Sequence, residues 1–166
     1  NFIQEKGHRK EIKARAKFEL ITDKEWPPIV CLHSEYDFLM ASLDGYNEEL
    51  NENWECKFVG KDDFLQVKSG QMLEKYYPQV QMQLAVTGAR FCNFTCINEE
   101  DEIHTIQVAV DVDYIQTKLY PALFEFWEKI QNLHSFCSYW HSFRHDSYSN
   151  VVLHLYCVYR QADSFS

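Results

Sequence analysis

Residues suited to hydrolytic chemistry fall in two short runs, Ser42-Leu43-Asp44-Gly45 and Trp54-Glu55-Cys56-Lys57-Phe58. Read as a β-strand, the second run alternates its side chains, so Glu55 and Lys57 share one face and Trp54, Cys56 and Phe58 the other. The apolar face suits packing onto a helix. The opposite face presents a carboxylate and an ammonium about 7 Å apart along the strand. Asp44 ends the earlier run, and Gly45 permits a sharp turn beside it. If the two strands pair as a meander, Asp44 lands beside Glu55. Two carboxylates and a lysine at one end of a sheet form a hard-oxygen site suited to magnesium or manganese. A metal held this way neutralises a scissile phosphate and makes a nucleophile from water. The lysine orients that water and offsets charge on the pentacovalent transition state. The alternative for Glu55 and Lys57 is an exposed i, i+2 ion pair on an edge strand.

The surrounding elements must place these residues. Residues 6–20 read as a helix, with Ile12, Ala16 and Leu20 as an i, i+4 apolar row, broken by Trp26-Pro27-Pro28. Residues 29–32, 38–43 and 53–59 read as short strands, the last two as a meander around Asp44-Gly45-Tyr46-Asn47 and a polar loop. Residues 61–75 form a polar, mostly helical or irregular connection. Pro78 suits the first turn of a helix that runs to Thr87 and ends at Gly88. Two strands, 90–97 and 102–110, follow around the acidic turn 98–101. A long amphipathic helix over 113–133 carries Ile115, Leu119, Leu123, Phe126, Ile130 and Leu133 on its apolar side, with Pro121 kinking it. This order predicts an α/β (α+β mixed) fold, a central mixed β-sheet flanked by helices.

The chain has 166 residues, 46% hydrophobic and 16% aromatic, with 5 Gly and 4 Pro, a globular composition that fits one domain over 1–166. Its best-marked core is 7–133. Residues 134–166 are atypical, with Arg144, Asp146, Arg160 and Asp163 as their charges. There His134, His141, His145 and His154 match no familiar ligand spacing, and a strand over 151–159 is the plainer reading. No apolar run approaches the roughly 18–20 residues of a membrane-spanning helix. The charged opening NFIQEKGHRKEIKAR is unlike a signal peptide, so a soluble, cytoplasmic protein with no membrane contact is expected. The net charge of −9 and pI of 5.2 run against general affinity for phosphates. Carboxylates neutralised by bound cations weaken that objection. So do local basic clusters, at Lys10, Lys13, Arg15 and Lys17 and at Lys57, Lys61 and Lys68. The six cysteines form no CxxC pair. Cys31, Cys56, Cys92 and Cys96, in strand-like runs, read as reduced core residues rather than a zinc site, an iron–sulfur site or a disulfide framework.

The run Tyr76-Tyr77-Pro78-Gln79-Val80-Gln81-Met82-Gln83-Leu84-Ala85-Val86-Thr87-Gly88 resembles the signature helix of the phage lambda exonuclease-type viral recombinase nucleases, of the PD-(D/E)XK nuclease superfamily. The two runs around Asp44 and Glu55 resemble that family's S-P-D-G…E-x-K, with Leu43 in place of the usual Pro. Gly7-x-x-x-Glu11-x-x-Ala14-Arg15-x-x-Phe18-Glu19 resembles its first helix, G-x-x-x-E-x-x-A-R-x-x-F-E. The three motifs, in order and at compatible spacing, cover residues 7–97.

The resemblance implies a restriction-endonuclease-like core and roles residue by residue. Asp44, Glu55 and the backbone carbonyl of Cys56 would ligate Mg2+, for which Mn2+ would substitute. Lys57 would position the attacking water. Glu11 would reach toward a metal or its waters, and Gln79 would steady the site. Gln81 lies about 200° from Gln79 around the helix, so the two cannot serve the site equally. Gln83, on the same side as Gln79 but a turn away, is left outside the site. Glu11 and Arg15 have an alternative as an i, i+4 pair worth about 0.3–0.5 kcal/mol, and Gln79 as a solvent-facing residue. A further acidic ligand of some members falls on Glu35 or Asp37. The implied activity is 5′-to-3′ exonuclease action on double-stranded DNA in phage or prophage recombination, by a ring-shaped homotrimer with a single-strand annealing protein as partner. Two rivals stand beside it: an endonuclease on the same scaffold, and a catalytically silent DNA-binding or assembly subunit. Family members carry an N-terminal segment that helps grip the DNA end and its 5′-phosphate. This chain starts almost at the first helix, as a minimal form or a fragment.

Overall fold

A computed structural model describes residues 2–140. The chain divides into two compact units, Asn1–Pro121 and Ala122–Ser166, and the whole candidate site belongs to the first. Helix α1 (Phe2–Thr22) leads into β1 (Ile29–Leu32) and β2 (Met40–Leu43), which pair with each other as a separate antiparallel ribbon. β3 (Gly45–Asn47), β4 (Glu52–Phe58), β5 (Phe91–Ile97) and β6 (Ile103–Ala109) form a sheet in that order. β4 and β5 are parallel, and the outer pairs are antiparallel, so the sheet is mixed. The crossover between β4 and β5 carries α2 (Lys61–Lys68), a 3-10 turn and α3 (Tyr77–Thr87). The expected α/β architecture is therefore present.

Alternation along the strands builds two apolar layers. Cys92, Phe94 and Cys96 pack with Phe64, Val67, Val80 and Leu84 of α2 and α3. On the other side, Trp54, Cys56 and Ile97 pack with Ala14 and Phe18 of α1 and with Trp26. Phe18 stacks on Trp54 at 5.7 Å between ring centroids. Burying a side chain of this size contributes about 1.5–3 kcal/mol. α3 begins with Pro78 in its first turn and ends at Gly88, whose φ of 69° is the left-handed cap expected of a glycine there.

Four local expectations change. The strand ending at Leu43 does not form the meander with β4; it pairs with β1, and the residues read as the turn, Gly45–Asn47, are the strand that pairs with β4. The buried face of α1 is Lys10–Ala14–Phe18, while Ile12 and Leu20 are 53% and 83% exposed. An aromatic stacked on Trp54 buries more than the aliphatic row would, and Lys10 is satisfied by a turn. Before Pro121 the chain runs through a π-helical stretch, Ile115–Leu119, between Val112–Tyr114 and α4 (Tyr120–Trp140). Proline has no N–H for the carbonyl a turn back, so the ladder shifts register there. Ile115 and Leu119 are buried, whereas Phe126, expected on the same apolar side, is 41% exposed. Cys56, Cys92 and Cys96 are buried free thiols and Cys31 is half-buried. The strand expected over 151–159 and the side chains of the four C-terminal histidines, Cys137 and Cys157 lie outside what is described.

Candidate active site

β3 covers the edge of β4 only through Trp54, which lies opposite Gly45. One step before Gly45, Asp44 takes over that edge: its Oδ2 accepts the N–H of Cys56 at 2.9 Å. The N–H and C=O of a strand residue face the same neighbour, so the Cys56 carbonyl also points to this edge. Gly45 is required by close approach. A Cβ there would lie 3.0 Å from both the Cβ and the carbonyl oxygen of Trp26 and 3.2 Å from the Cβ of Trp54. The glycine lets β3 press onto Trp26 and fixes Asp44 beside β4.

Glu55 points from the opposite face of β4 to Trp54, toward α3, and is 2% exposed. Its Oε1 accepts from Gln79 Nε2 at 2.8 Å and pairs with Lys57 Nζ at 3.0 Å. Its Oε2 accepts from Gln83 Nε2 at 2.7 Å. One turn of helix separates the two glutamines, which aligns both amides on one carboxylate. The Lys57 ammonium also sits 4.9 Å from the centroid of the Tyr76 ring. Gln79 thus steadies Glu55 rather than facing solvent. Gln83, left outside the site by sequence reasoning, is inside it. The signal was its i+4 spacing from Gln79 together with a third amide in an otherwise apolar helix. Gln81 turns the other way, donating to the Ala109 carbonyl and accepting from the Asp111 N–H.

The site is short of positive charge. Burial raises the Asp44 carboxyl to about 8, with repulsion from Glu55 and then Glu11 adding to it; the Cys56 N–H and Lys57 pull only partly back. Burial alone would lower the Lys57 pKa, but the charge and hydrogen bond of Glu55, and then Asp44, hold it above the usual lysine range. Glu11 faces Arg15 at 3.2 Å and His8 at 3.8 Å and is felt at Asp44 through its charge. The i, i+4 pair therefore exists, and Glu11 stands at the margin of the site. Glu35 and Asp37 both lie exposed between β1 and β2, and neither is among the groups that shift Asp44.

Among the described residues no three His, Cys, Asp or Glu side chains are grouped to hold a metal ion. The donors at this edge are two carboxylates and a main-chain carbonyl. Such a set fits Mg2+, which keeps several waters and takes one or two carboxylates from the protein. Two features of the structure fit a cation with its waters at this edge. Acids crowd around Asp44, and the buried Gln83 Oε1 has no hydrogen-bond partner among the described residues.

The α1 lysines do not form the free basic cluster expected of them. Lys10 donates to the carbonyls of Asn98 and Glu99 and to Asp101 at 2.8, 2.6 and 2.7 Å. Lys13 reaches Asp101 at 2.6 Å, Lys17 reaches its carbonyl, and Arg15 donates to the Trp26 carbonyl. They fasten α1 to the β5–β6 turn and to the segment before β1. Among the described residues no helix is long and apolar enough to cross a membrane.

The fold has solved counterparts. The alkaline exonuclease LHK-Exo from Laribacter hongkongensis superposes with a TM-score of 0.67 at 22% identity, over 81% of this chain and 74% of that one. Its complex with dAMP superposes with a TM-score of 0.69 at 22% identity, over 83% and 75% of the two chains. No curated protein sequence matches the chain. The family model of the YqaJ-like viral recombinase domain matches residues 3–90, a span that holds Glu11, Asp44, Glu55, Lys57, Gln79 and Gln83. The chain belongs to the YqaJ-like viral recombinase domain family.

Proposed function

We propose that this domain is a divalent-metal-dependent nuclease that hydrolyses phosphodiester bonds of double-stranded DNA. The observation that carries the reading is the juxtaposition at the edge of β4. Asp44 is bonded to the main chain at Cys56, directly after Glu55, and Lys57 is paired to Glu55 at 3.0 Å. Asp44, Glu55 and the Cys56 carbonyl would hold Mg2+ or Mn2+, with Glu11 acting from α1 on the ion's waters. When bound, the ion supplies Lewis acidity toward the scissile phosphate and a more acidic water. Gln79 and Gln83 hold the Glu55 carboxylate in one orientation. Lys57 is kept protonated by its carboxylate neighbours, so it donates hydrogen bonds to water or phosphate and offsets negative charge developing in the transition state. It is unsuited to taking up a proton.

Family membership and the likeness to a protein named an alkaline exonuclease support exonuclease action. The same reading includes 5′-to-3′ polarity, a homotrimer, a single-strand annealing partner and a cytoplasmic setting in phage or prophage recombination. The test is a gel assay on linear and closed circular duplexes, with magnesium and with EDTA, for wild type, Glu55→Ala and Lys57→Ala. Magnesium-dependent loss of the linear duplex by wild type alone is expected. Cutting of the closed circle indicates an endonuclease instead, and equal loss of substrate by all three proteins removes the assignment.

A further inference from the structure

The two carboxylates of the site come from different segments. Asp44 stands at the junction of β2, which pairs with β1, and β3, which pairs with β4, whereas Glu55 lies within β4 itself. Gln83 of α3 connects them: its Nε2 donates to Glu55 Oε2 at 2.7 Å and approaches the Ser42 carbonyl, two residues before Asp44, at 3.3 Å. Both partners are acceptors, so the amide orientation is fixed by chemistry. The nitrogen must face them, and the oxygen must point away. Oε1 is then buried without a partner among the described residues, in a side chain 2% exposed. A leucine or methionine would remove this unpaired oxygen but would take the donor from the buried Glu55 Oε2 and from the Ser42 carbonyl. Keeping a half-satisfied amide here is explained by a need for its N–H groups.

Resting on the metal-dependent reading above, we propose that Gln83 is a positioning residue that sets the spacing of Asp44 and Glu55 by tying the β2 main chain to the Glu55 carboxylate, and thereby tunes divalent-cation affinity. Gln79 does not duplicate it, since its amide is bonded to Glu55 and not to the β1–β2 ribbon. Changes to groups that hold metal ligands typically lower metal affinity 10–100-fold.

The experiment is calorimetric titration of Mg2+ and Mn2+ into the full chain for wild type, Gln83→Met, Gln83→Asn and Glu55→Gln, beside hydrolysis rates as a function of metal concentration. Gln83→Met keeps the volume and loses both N–H groups. Gln83→Asn keeps the amide but is too short to span both partners, and it stands in if the methionine variant does not fold. The expected result is a Mg2+ Kd raised about 10-fold or more in either Gln83 variant, with most of kcat recovered at saturating metal. A fall in thermal stability with unchanged Kd and unchanged metal dependence overturns the proposal and leaves the nuclease reading standing. Failure of wild type to bind either ion, with Glu55→Gln indistinguishable from it, overturns the nuclease reading itself and this proposal with it.

Discussion

At the β5–β6 turn, Lys10 and Lys13 close on Asp101 at 2.7 and 2.6 Å, and their hydrogen bonds hold its carboxyl down to about 2. At the end of β2, burial and the neighbouring Glu55 and Glu11 push the Asp44 carboxyl up to about 8. Both clusters combine acids and lysines at an end of the sheet. They differ in charge balance and in burial. At the turn two ammonium groups meet one partly exposed aspartate, Lys6 pairs with Glu99, and main-chain carbonyls take the remaining donors. The edge of β4 has more carboxylates than the single Lys57 can neutralise, and Glu55 is out of solvent. An excess of buried negative charge costs folding free energy unless a cation joins it. The first cluster is thus a fastening, and the second is the one we propose as a binding site. Counting basic residues along the sequence does not separate the two.

The strongest way to break this contrast is through activity. Lys57→Ala is expected to lower kcat of magnesium-dependent hydrolysis by about 10²–10³-fold, the loss typical of one preorganised electrostatic donor, while Lys13→Ala leaves kcat unchanged. Equal losses in steady-state assays would erase the distinction. Stability should respond the other way. Lys10→Met strands the Asn98 and Glu99 carbonyls, leaves Asp101 with Lys13 alone, and should cost about 2–4 kcal/mol in urea unfolding.

A finer test removes charge from the crowded side. Asp44→Asn keeps an acceptor for the Cys56 N–H and deletes one of the mutually repelling acids. In EDTA at pH 8 it should melt a few degrees above wild type, yet gain no stability when magnesium is added. A lower melting temperature in EDTA would show that Asp44 is a stabilising group like Asp101. The smallest effect is in acid. Asp101 has a depressed folded-state pKa, so its contribution is present in full above the unfolded value near 4 and fades as pH falls toward about 2. The stability gap between wild type and Asp101→Asn should therefore be constant above about pH 5 and close toward pH 2.

What was legible in the sequence follows the same division. Alternation in Trp54–Phe58 placed Glu55 and Lys57 on one face because a central strand with an apolar and a polar side has one workable orientation. Pro78 and Gly88 marked the bounds of α3 because each is set by local backbone chemistry. The sequence brings Asp44 to Cys56, next to Glu55, through a meander, whereas in the structure a three-residue strand does the work of that turn and Gly45 is there for contact with Trp26. Apolar periodicity does not find the buried face of α1, because Lys10 is satisfied by turn carbonyls some ninety residues away, a partner no local pattern reveals. Gln83 was missed for a similar reason. Helical spacing gave its side, but the reach of its amide to both Ser42 and Glu55 depends on how α3 packs over two sheets.

The central claim is that Asp44 and Glu55 share a divalent cation. The direct measurement is an anomalous difference map from crystals of the protein grown with manganese. A peak within about 2–2.4 Å of one oxygen from each carboxylate, on the side to which the Cys56 carbonyl points, is the result expected. Manganese bound elsewhere at full occupancy, with this edge of β4 empty and Lys57 still closed on Glu55, would contradict it.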